Sequence, residues 1–206
     1  MTPKLEKKFQ TIGKRLIKIA KKNSIGLEKR NGLNKYKVIG DKAYFTNGRV
    51  AMKFKNRLFE EDLAIEGLAQ DNTYPVNIEK LFMVLNVKHT LPLPVKETMK
   101  LIRDNKKDYE KGTKVDFGLF EEYKDKSIVN FEVSNDKLVL VKGTNRDNIN
   151  FDFHYLYDTL AMLDALGERE VTCHIASASK RSGLVVTPML LVTESMDAMI
   201  APIRVG

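Results

Sequence analysis

Near its start the chain places apolar residues at Leu5, Phe9, Ile12, Leu16 and Ile19, alternating steps of four and three that draw one apolar stripe down a helix. Lys7, Lys14, Lys18 and Lys21 fall off that stripe, so a helix docked by its apolar face holds a row of ammonium groups toward solvent. Gly13 costs such a helix about 1 kcal/mol of propensity, and Asn23, Ser24 and Gly26 end it. From Leu33 to Phe54 the pattern turns to strands. YKVIG leads through a turn at Asp41-Lys42 to AYFTNGRVAMKF, whose Asn47-Gly48 pair signals a hairpin with positive φ. After a less regular acidic stretch (Glu60, Glu61, Asp62, Glu66), Pro75 and Asn77 introduce a second helix with Ile78, Leu81, Phe82 and Leu85 on one face.

The segment TLPLPV, Thr90 to Val95, carries two prolines and reads as an extended connector at a domain boundary. A third helix follows, with Val95, Met99 and Ile102 inward and Lys96, Lys100, Arg103 and Lys107 recurring at i, i+4, i+7 and i+11. Strands come next in KVDFGLFEEY, SIVNFEV, KLVLVKG and NINFDF, with a turn at Asn135-Asp136. A fourth helix, HYLYDTLAMLDAL, turns Leu156, Leu160 and Leu163 inward and ends at Gly167, where a left-handed residue is favoured. EVTCHIA, SGLVVTP, MLLVTES and AMIAPIRV close the chain as short β-runs. The order helix, strands, helix, strands thus occurs twice, which predicts an α+β protein of two units, residues 1–93 and 94–206, alike in pattern and not in residue identity.

Composition sharpens this picture. A chain of 206 residues with 43% hydrophobic content can bury real cores. No window approaches the run of about 18 to 20 apolar residues that a membrane span needs, and no secretory signal is evident; the expectation is a cytoplasmic protein. The single cysteine, Cys173, excludes an internal disulfide framework. The formal net charge is +8, and residues 1–30 alone carry ten Lys or Arg against two acids, so the rest of the chain is balanced. A positive field concentrated in one segment points to a polyanionic partner.

Little in the sequence argues for catalysis. His89, His154 and His174 lie far apart without a second ligand at metal-binding spacing. Cys173 and His174 are strand neighbours and point to opposite faces. No dinucleotide fingerprint, phosphate-binding Gly-Lys-Ser/Thr loop or nucleophile elbow occurs, and SASKRSG reads as a solvated hairpin turn. Glu60, Glu61 and Asp62 cluster without a partner set. A binding protein with no cofactor and no metal is expected. Evenly spaced lysines touch phosphates and not base edges, so DNA binding through the two basic helices would be non-specific and salt-dependent. Two alternatives stand beside it: solvated lysine faces, and a membrane-surface role for the first helix, whose apolar face would then be unavailable to the core.

The C-terminal third brings in a family resemblance. NFDFHYLYDTLAMLDALGEREVTCHIASASKRSGLVV followed by DAMIAPIRV resembles the last domain of bacterial sliding DNA clamps, the β subunits of the replicative polymerase. The matching positions are Phe151, Tyr155, Asp158 and Leu160, then Pro202, Ile203, Arg204 and Val205. FTNGRVAMKF is similar to a strand of the middle clamp domain through Thr46, Asn47, Gly48, Arg49, Val50 and Ala51, and LPLPVKETMKLI is similar to the start of a clamp domain.

The resemblance implies a DNA-clamp fold of two clamp-like domains, helices packed on antiparallel sheets, with the first abbreviated. It implies double-stranded DNA as a partner, a polymerase or other client bearing a clamp-binding motif, a clamp loader, and a homo-trimer ring; the alternative is a non-ring regulator or decoy. On this reading Lys7, Lys14, Lys18, Lys21, Lys96, Lys100, Arg103 and Lys107 contact DNA. Thr46, Gly48, Arg49, Val50, Met199, Pro202, Ile203 and Arg204 line a client-peptide groove with Tyr155 on its rim. The short chain suggests a phage or mobile-element origin. Two departures carry expectations of their own: the histidine that stands between the glycine and the arginine of the family's strand is missing between Gly48 and Arg49, which alters the pocket, and the basic first helix suggests loader-independent attachment to DNA.

Overall fold

The computed structural model describes residues 1–23, 33–68, 78–82, 86–105, 110–111, 127–135, 137–141, 149–176, 179–181, 184–186 and 188–202. In chain order the elements are α1 (Pro3–Asn23), β1 (Lys35–Ile39), β2 (Lys42–Thr46), β3 (Val50–Phe54), β4 (Leu63–Ala64), a 3-10 turn (Ile78–Phe82), β5 (Val87–Pro94) and α2 (Val95–Asp104). They continue with β6 (Glu110–Lys111), β7 (Ser127–Ser134), β8 (Lys137–Val141), β9 (Ile149–Asp152), α3 (Phe153–Ala165), β10 (Glu170–Ala176), β11 (Ser179–Arg181), β12 (Leu184–Val186), β13 (Met189–Val192) and β14 (Met196–Ile200).

An antiparallel eight-stranded sheet runs in the order β4-β1-β2-β3-β14-β13-β10-β5. It is close to palindromic about the β3-β14 pair. On one side α1 precedes β1, β2 and β3; on the other α3 precedes β10, β13 and β14; each run gains an outer strand, β4 or β5. A second sheet pairs β7 with β6, β8 and β9, and β11-β12 is a separate hairpin. The helices pack on antiparallel sheets, and the fold is α+β as the sequence pattern requires.

The stripe of α1 is committed to the core. Phe9, Ile12 and Leu16 are buried, Leu5 and Ile19 are partly so, and Ile17 and Ala20 widen the buried face. That overturns the membrane-surface alternative for this helix, because its apolar side already has a partner. No helix among the described residues is long and apolar enough to cross a membrane. Phe9 meets Tyr36, Phe54 and Phe59 at ring-centroid distances of 5.3, 5.1 and 5.2 Å, and the Tyr36 hydroxyl donates to the Phe9 carbonyl at 2.8 Å.

Gly13 has a packing reason. A Cβ there would lie 2.7 Å from the Tyr36 hydroxyl oxygen and 2.9 Å from Ile65 Cδ1. Gly13→Ala should therefore destabilise by about 1–3 kcal/mol through overpacking, although alanine has the better helix propensity by about 1 kcal/mol. A urea midpoint at or above that of the parent chain would refute this.

Hairpin and cap positions follow the sequence reading closely. Gly48 sits at φ +84°, and the buried Asn47 side chain accepts from the Arg49 and Val50 N–H groups at 2.9 and 2.7 Å while donating to the Leu16 carbonyl at 3.0 Å. One short loop thereby clamps the β2-β3 hairpin to α1. Gly167, at φ +89°, follows α3; its N–H reaches the Asp164 carbonyl and that of Glu168 reaches Leu163, both at 3.1 Å, the paired bonds of a Schellman ending. The first hairpin turn is Gly40-Asp41, one residue earlier than expected, with Lys42 already in β2.

Two expectations are corrected. The helix expected from Ile78 is a 3-10 turn over Ile78–Phe82, with residues 83–85 outside the described residues. It needs no continuous apolar face: Ile78 is buried while Leu81 is exposed, and Glu79 pins the turn to the sheet by accepting from the Tyr44 hydroxyl and from Lys42 Nζ. The proline-rich connector is in fact β5, paired with β10 from Val87 to Pro94. Leu91 and Leu93 face the core and Pro92 and Pro94 face out. Prolines are tolerated there because β5 is a terminal strand, whose outward side needs no N–H. The expected strand KVDFGLFEEY, the end of α1 at Ser24 and Gly26, and Asp136 lie outside the described residues.

Candidate nucleic-acid interface

The three helices form one layer with α3 in the middle, since α1 and α2 each pack against it. Most of α3 is buried, including Tyr155, Leu156, Asp158, Leu160 and Leu163. Its part-exposed residues, His154, Tyr157, Ala161, Asp164 and Ala165, fall at i, i+3, i+7, i+10 and i+11, a single outward strip. The Val95 N–H donates to the Arg169 carbonyl at 2.9 Å, which sets the start of α2 beside the end of α3. The two helices therefore run past one another in opposite senses.

Ion pairs tie both flanking helices to this centre. Arg15 of α1 donates from Nε to Asp158 Oδ2 at 2.7 Å and from Nη2 to Oδ1. The Asp158 side chain is 2% exposed and that of Arg15 44%. Burial pushes the Asp158 carboxyl above its ordinary value, and Arg15 opposes that shift. On the other flank Lys96 Nζ lies 3.7 Å from Asp164 Oδ1. The exposed cations of α1 and α2 thus stand on the two sides of one helix.

Of the predicted contacts on α1, Lys7 and Lys18 are exposed, and Lys14 is part-buried toward the loop at Gly67. Lys21 lies in the last turn, its side chain outside the described residues. Lys96, Lys100 and Arg103 are exposed on α2; Lys107 lies outside the described residues. Sequence reading missed Lys4, Lys8 and Arg15, all exposed on α1. Their signal was present: Lys4, Lys8, Thr11, Arg15 and Lys18 recur at steps of four and three, a helical strip parallel to the apolar one.

The predicted groove residues divide. β14 pairs with β3, setting Met199 opposite Ala51 and Ile200 opposite Val50, and the Ala201 N–H donates to the Arg49 carbonyl at 2.8 Å. Gly48 is exposed, and Arg49, Met199 and Pro202 are part-exposed. Thr46 and Val50 are buried; Thr46 Oγ1 donates to the Val50 carbonyl at 2.9 Å and accepts from the Gly48 N–H at 3.1 Å. Tyr155, expected on a rim, is buried in the core beneath α3, because that position of the helix faces the sheet and Tyr157 takes the outward one. Ile203 and Arg204 lie outside the described residues.

Other candidate chemistry is structural where it is described. Cys173 is buried, which pushes its thiol up to about 12, and such a thiol is inert. His174 Nδ1 lies 3.0 Å from Thr90 Oγ1. Asp62 accepts from Lys37 Nζ and the Val38 N–H, both at 2.9 Å, and so caps the outer edge of β1. Among the described residues no group of three or more His, Cys, Asp or Glu is placed to hold a metal ion.

No family model matches the sequence, and no curated protein matches it. Solved structures do resemble it. The β chain of DNA polymerase III from Streptococcus pneumoniae TIGR4 aligns at a TM-score of 0.53 and 14% identity, over 91% of this chain and 63% of its own. The corresponding subunit from Borrelia burgdorferi aligns at 0.52 and 13%, over 97% and 63%. A DNA polymerase sliding clamp from Pseudomonas aeruginosa aligns at 0.54 and 11%, over 95% and 64%. The chain spans less than two thirds of the length of these structures, and it has their fold.

Proposed function

We propose that this chain, folded as a sliding clamp, is a processivity factor that binds DNA non-specifically through its basic helices and recruits a polymerase or another client through a peptide groove. The observation that carries the reading is the helical layer: cationic residues of α1 and α2 are exposed on both sides of α3, and the two carboxylates that α3 offers them, Asp158 and Asp164, are each paired with a cation. Such a surface suits a polyanion, and lysines without planar donors favour phosphate over base readout. Binding to a duplex of random sequence should weaken steeply with salt. Affinity that is flat in salt, or absent at low salt, would sink the proposal.

The client groove is supported by the β3-β14 pairing, which brings part-exposed Met199 and Pro202 beside Gly48 and Arg49. Apolar walls with a few backbone anchors suit an extended peptide. Deleting residues 201–206 should abolish binding of a clamp-binding-motif peptide while leaving DNA affinity intact. Retained peptide affinity would remove the groove.

A second reading, a clamp-like regulator that does not encircle DNA, is favoured by the ends of the eight-stranded sheet. β5 carries Pro92 and Pro94, and at the other end β4 is two residues long with Asp62 capping the Val38 N–H of β1. Both devices blunt a strand edge against pairing with another chain. A ring would remain on closed circular DNA through a high-salt wash and leave after linearisation; the regulator would leave both equally.

A further inference from the structure

We infer that the same helical face captures unpaired bases, with Tyr157 as a stacking platform, so that single-stranded nucleic acid is a ligand of this surface. The inference rests on the proposed polyanion binding and adds the chemical class of ligand that the middle of the face selects.

The outward strip of α3 is not basic. It presents His154, Tyr157 and Ala161 between the cations of α1 and those of α2. Tyr157 is held from behind: its ring stacks on buried Phe153, with centroids 5.3 Å apart and planes 17° from parallel. Phe153 in turn meets the His154 ring edge-on at 5.0 Å and 83°. A ring fixed in this way loses little freedom when a second flat group settles on it.

The charges around it are arranged for a phosphate chain. Asp158, one turn from the helix start, is engaged by Arg15, and Asp164 by Lys96, so neither carboxylate faces a ligand unpaired. Because α2 begins beside the end of α3 and runs back along it, Lys100 and Arg103 are carried toward the first turns of α3, where Tyr157 lies. Arg15 stands on the opposite flank. A duplex keeps its base faces inside the stack and offers this strip only phosphates, whereas a single strand offers a base to Tyr157 as well. Aromatic platforms set in a cationic track are how proteins hold single strands without sequence preference, at about 1–3 kcal/mol per stacked base.

The test uses the full chain, an oligodeoxythymidine of about 20 nucleotides and a duplex of the same length, read by fluorescence anisotropy. Tyr157→Leu should lower single-strand affinity by about 5- to 150-fold and leave duplex affinity nearly unchanged, while Tyr157→Phe should retain both. Equal losses on the two probes, or no loss on either, would overturn the inference. If the wild-type chain binds neither probe, polyanion binding itself fails; if it binds both and Tyr157→Leu alters neither, only base capture fails. Should Tyr157→Leu not fold, photocrosslinking of a 5-iodouracil oligonucleotide to the wild-type chain decides: adducts at Tyr157 support the inference, and adducts confined to the sheet strands overturn it.

Discussion

Replacing Lys7, Lys18, Lys100 and Arg103 together by alanine is expected to weaken duplex binding by about 100- to 1000-fold near physiological salt and to flatten the slope of log affinity against log salt by about 3.6. The second figure follows from losing about four phosphate contacts at about 0.9 released counterions each. All four side chains are exposed, and Arg103 pairs with its chain neighbour Asp104 at 3.3 Å. Surface changes of this kind alter stability little, so the variant should unfold at nearly the parent's midpoint. A slope that stayed at the parent's value would mean that these helices do not carry the contact, whatever else binds DNA.

Arg15→Leu should cost about 2–3 kcal/mol of stability at neutral pH, below the roughly 3–5 kcal/mol of stranding one partner of a fully buried pair, because Arg15 is itself nearly half exposed. The carboxylate left behind, Asp158, is 2% exposed. Its pKa is already raised by burial, and losing the cation raises it further. A raised carboxyl takes up its proton more readily folded than unfolded, so this group's contribution is most favourable below the unfolded value of about 3.9 and declines as pH rises through the folded one. The deficit of Arg15→Leu relative to the parent should therefore shrink as pH falls from about 7 toward about 4. The double change Arg15→Leu with Asp158→Leu should recover much of the loss, because no buried charge remains. Urea midpoints at the two pH values decide it; a deficit independent of pH would assign the loss to packing by the arginine stem instead.

Much of the fold is legible in local pattern because local physics sets it. The stripe of α1 is also its buried face, Asn47-Gly48 is the β2-β3 turn, and Gly167 closes α3. The failures have a common cause. TLPLPV reads as a connector since prolines argue against a strand, and only sheet order reveals that β5 is terminal, where prolines are harmless. Ile78 and Leu81 have helical spacing, yet the segment lies on a sheet and is held by Glu79, buried Ile78 and part-buried Phe82, whose ring lies 5.0 Å from Lys53 Nζ.

The candidate site is legible in part for the same reason. Lysine rows on α1 and α2 are one-dimensional patterns, and reading them requires no tertiary knowledge. α3 is apolar on most of its circumference, so periodicity cannot say which residues face outward. Tyr155 is buried and Tyr157 holds the part-exposed position, and although Arg15 falls on a local cationic strip, its pairing with Asp158, 143 residues away, is a tertiary fact that no local pattern carries. The neighbours of Met199 are set by strand order and not by local pattern: the β3-β14 pairing puts Met199 opposite Ala51 and Ile200 opposite Val50.

Lysine footprinting of the full chain with a saturating duplex tests the central claim most directly. Acetylation of Lys7, Lys18, Lys96 and Lys100 on the helical layer should be suppressed by DNA, while Lys88 on β5 and Lys137 on β8 react as in the free protein. Protection of Lys88 and Lys137 with the helix lysines left reactive would contradict the account.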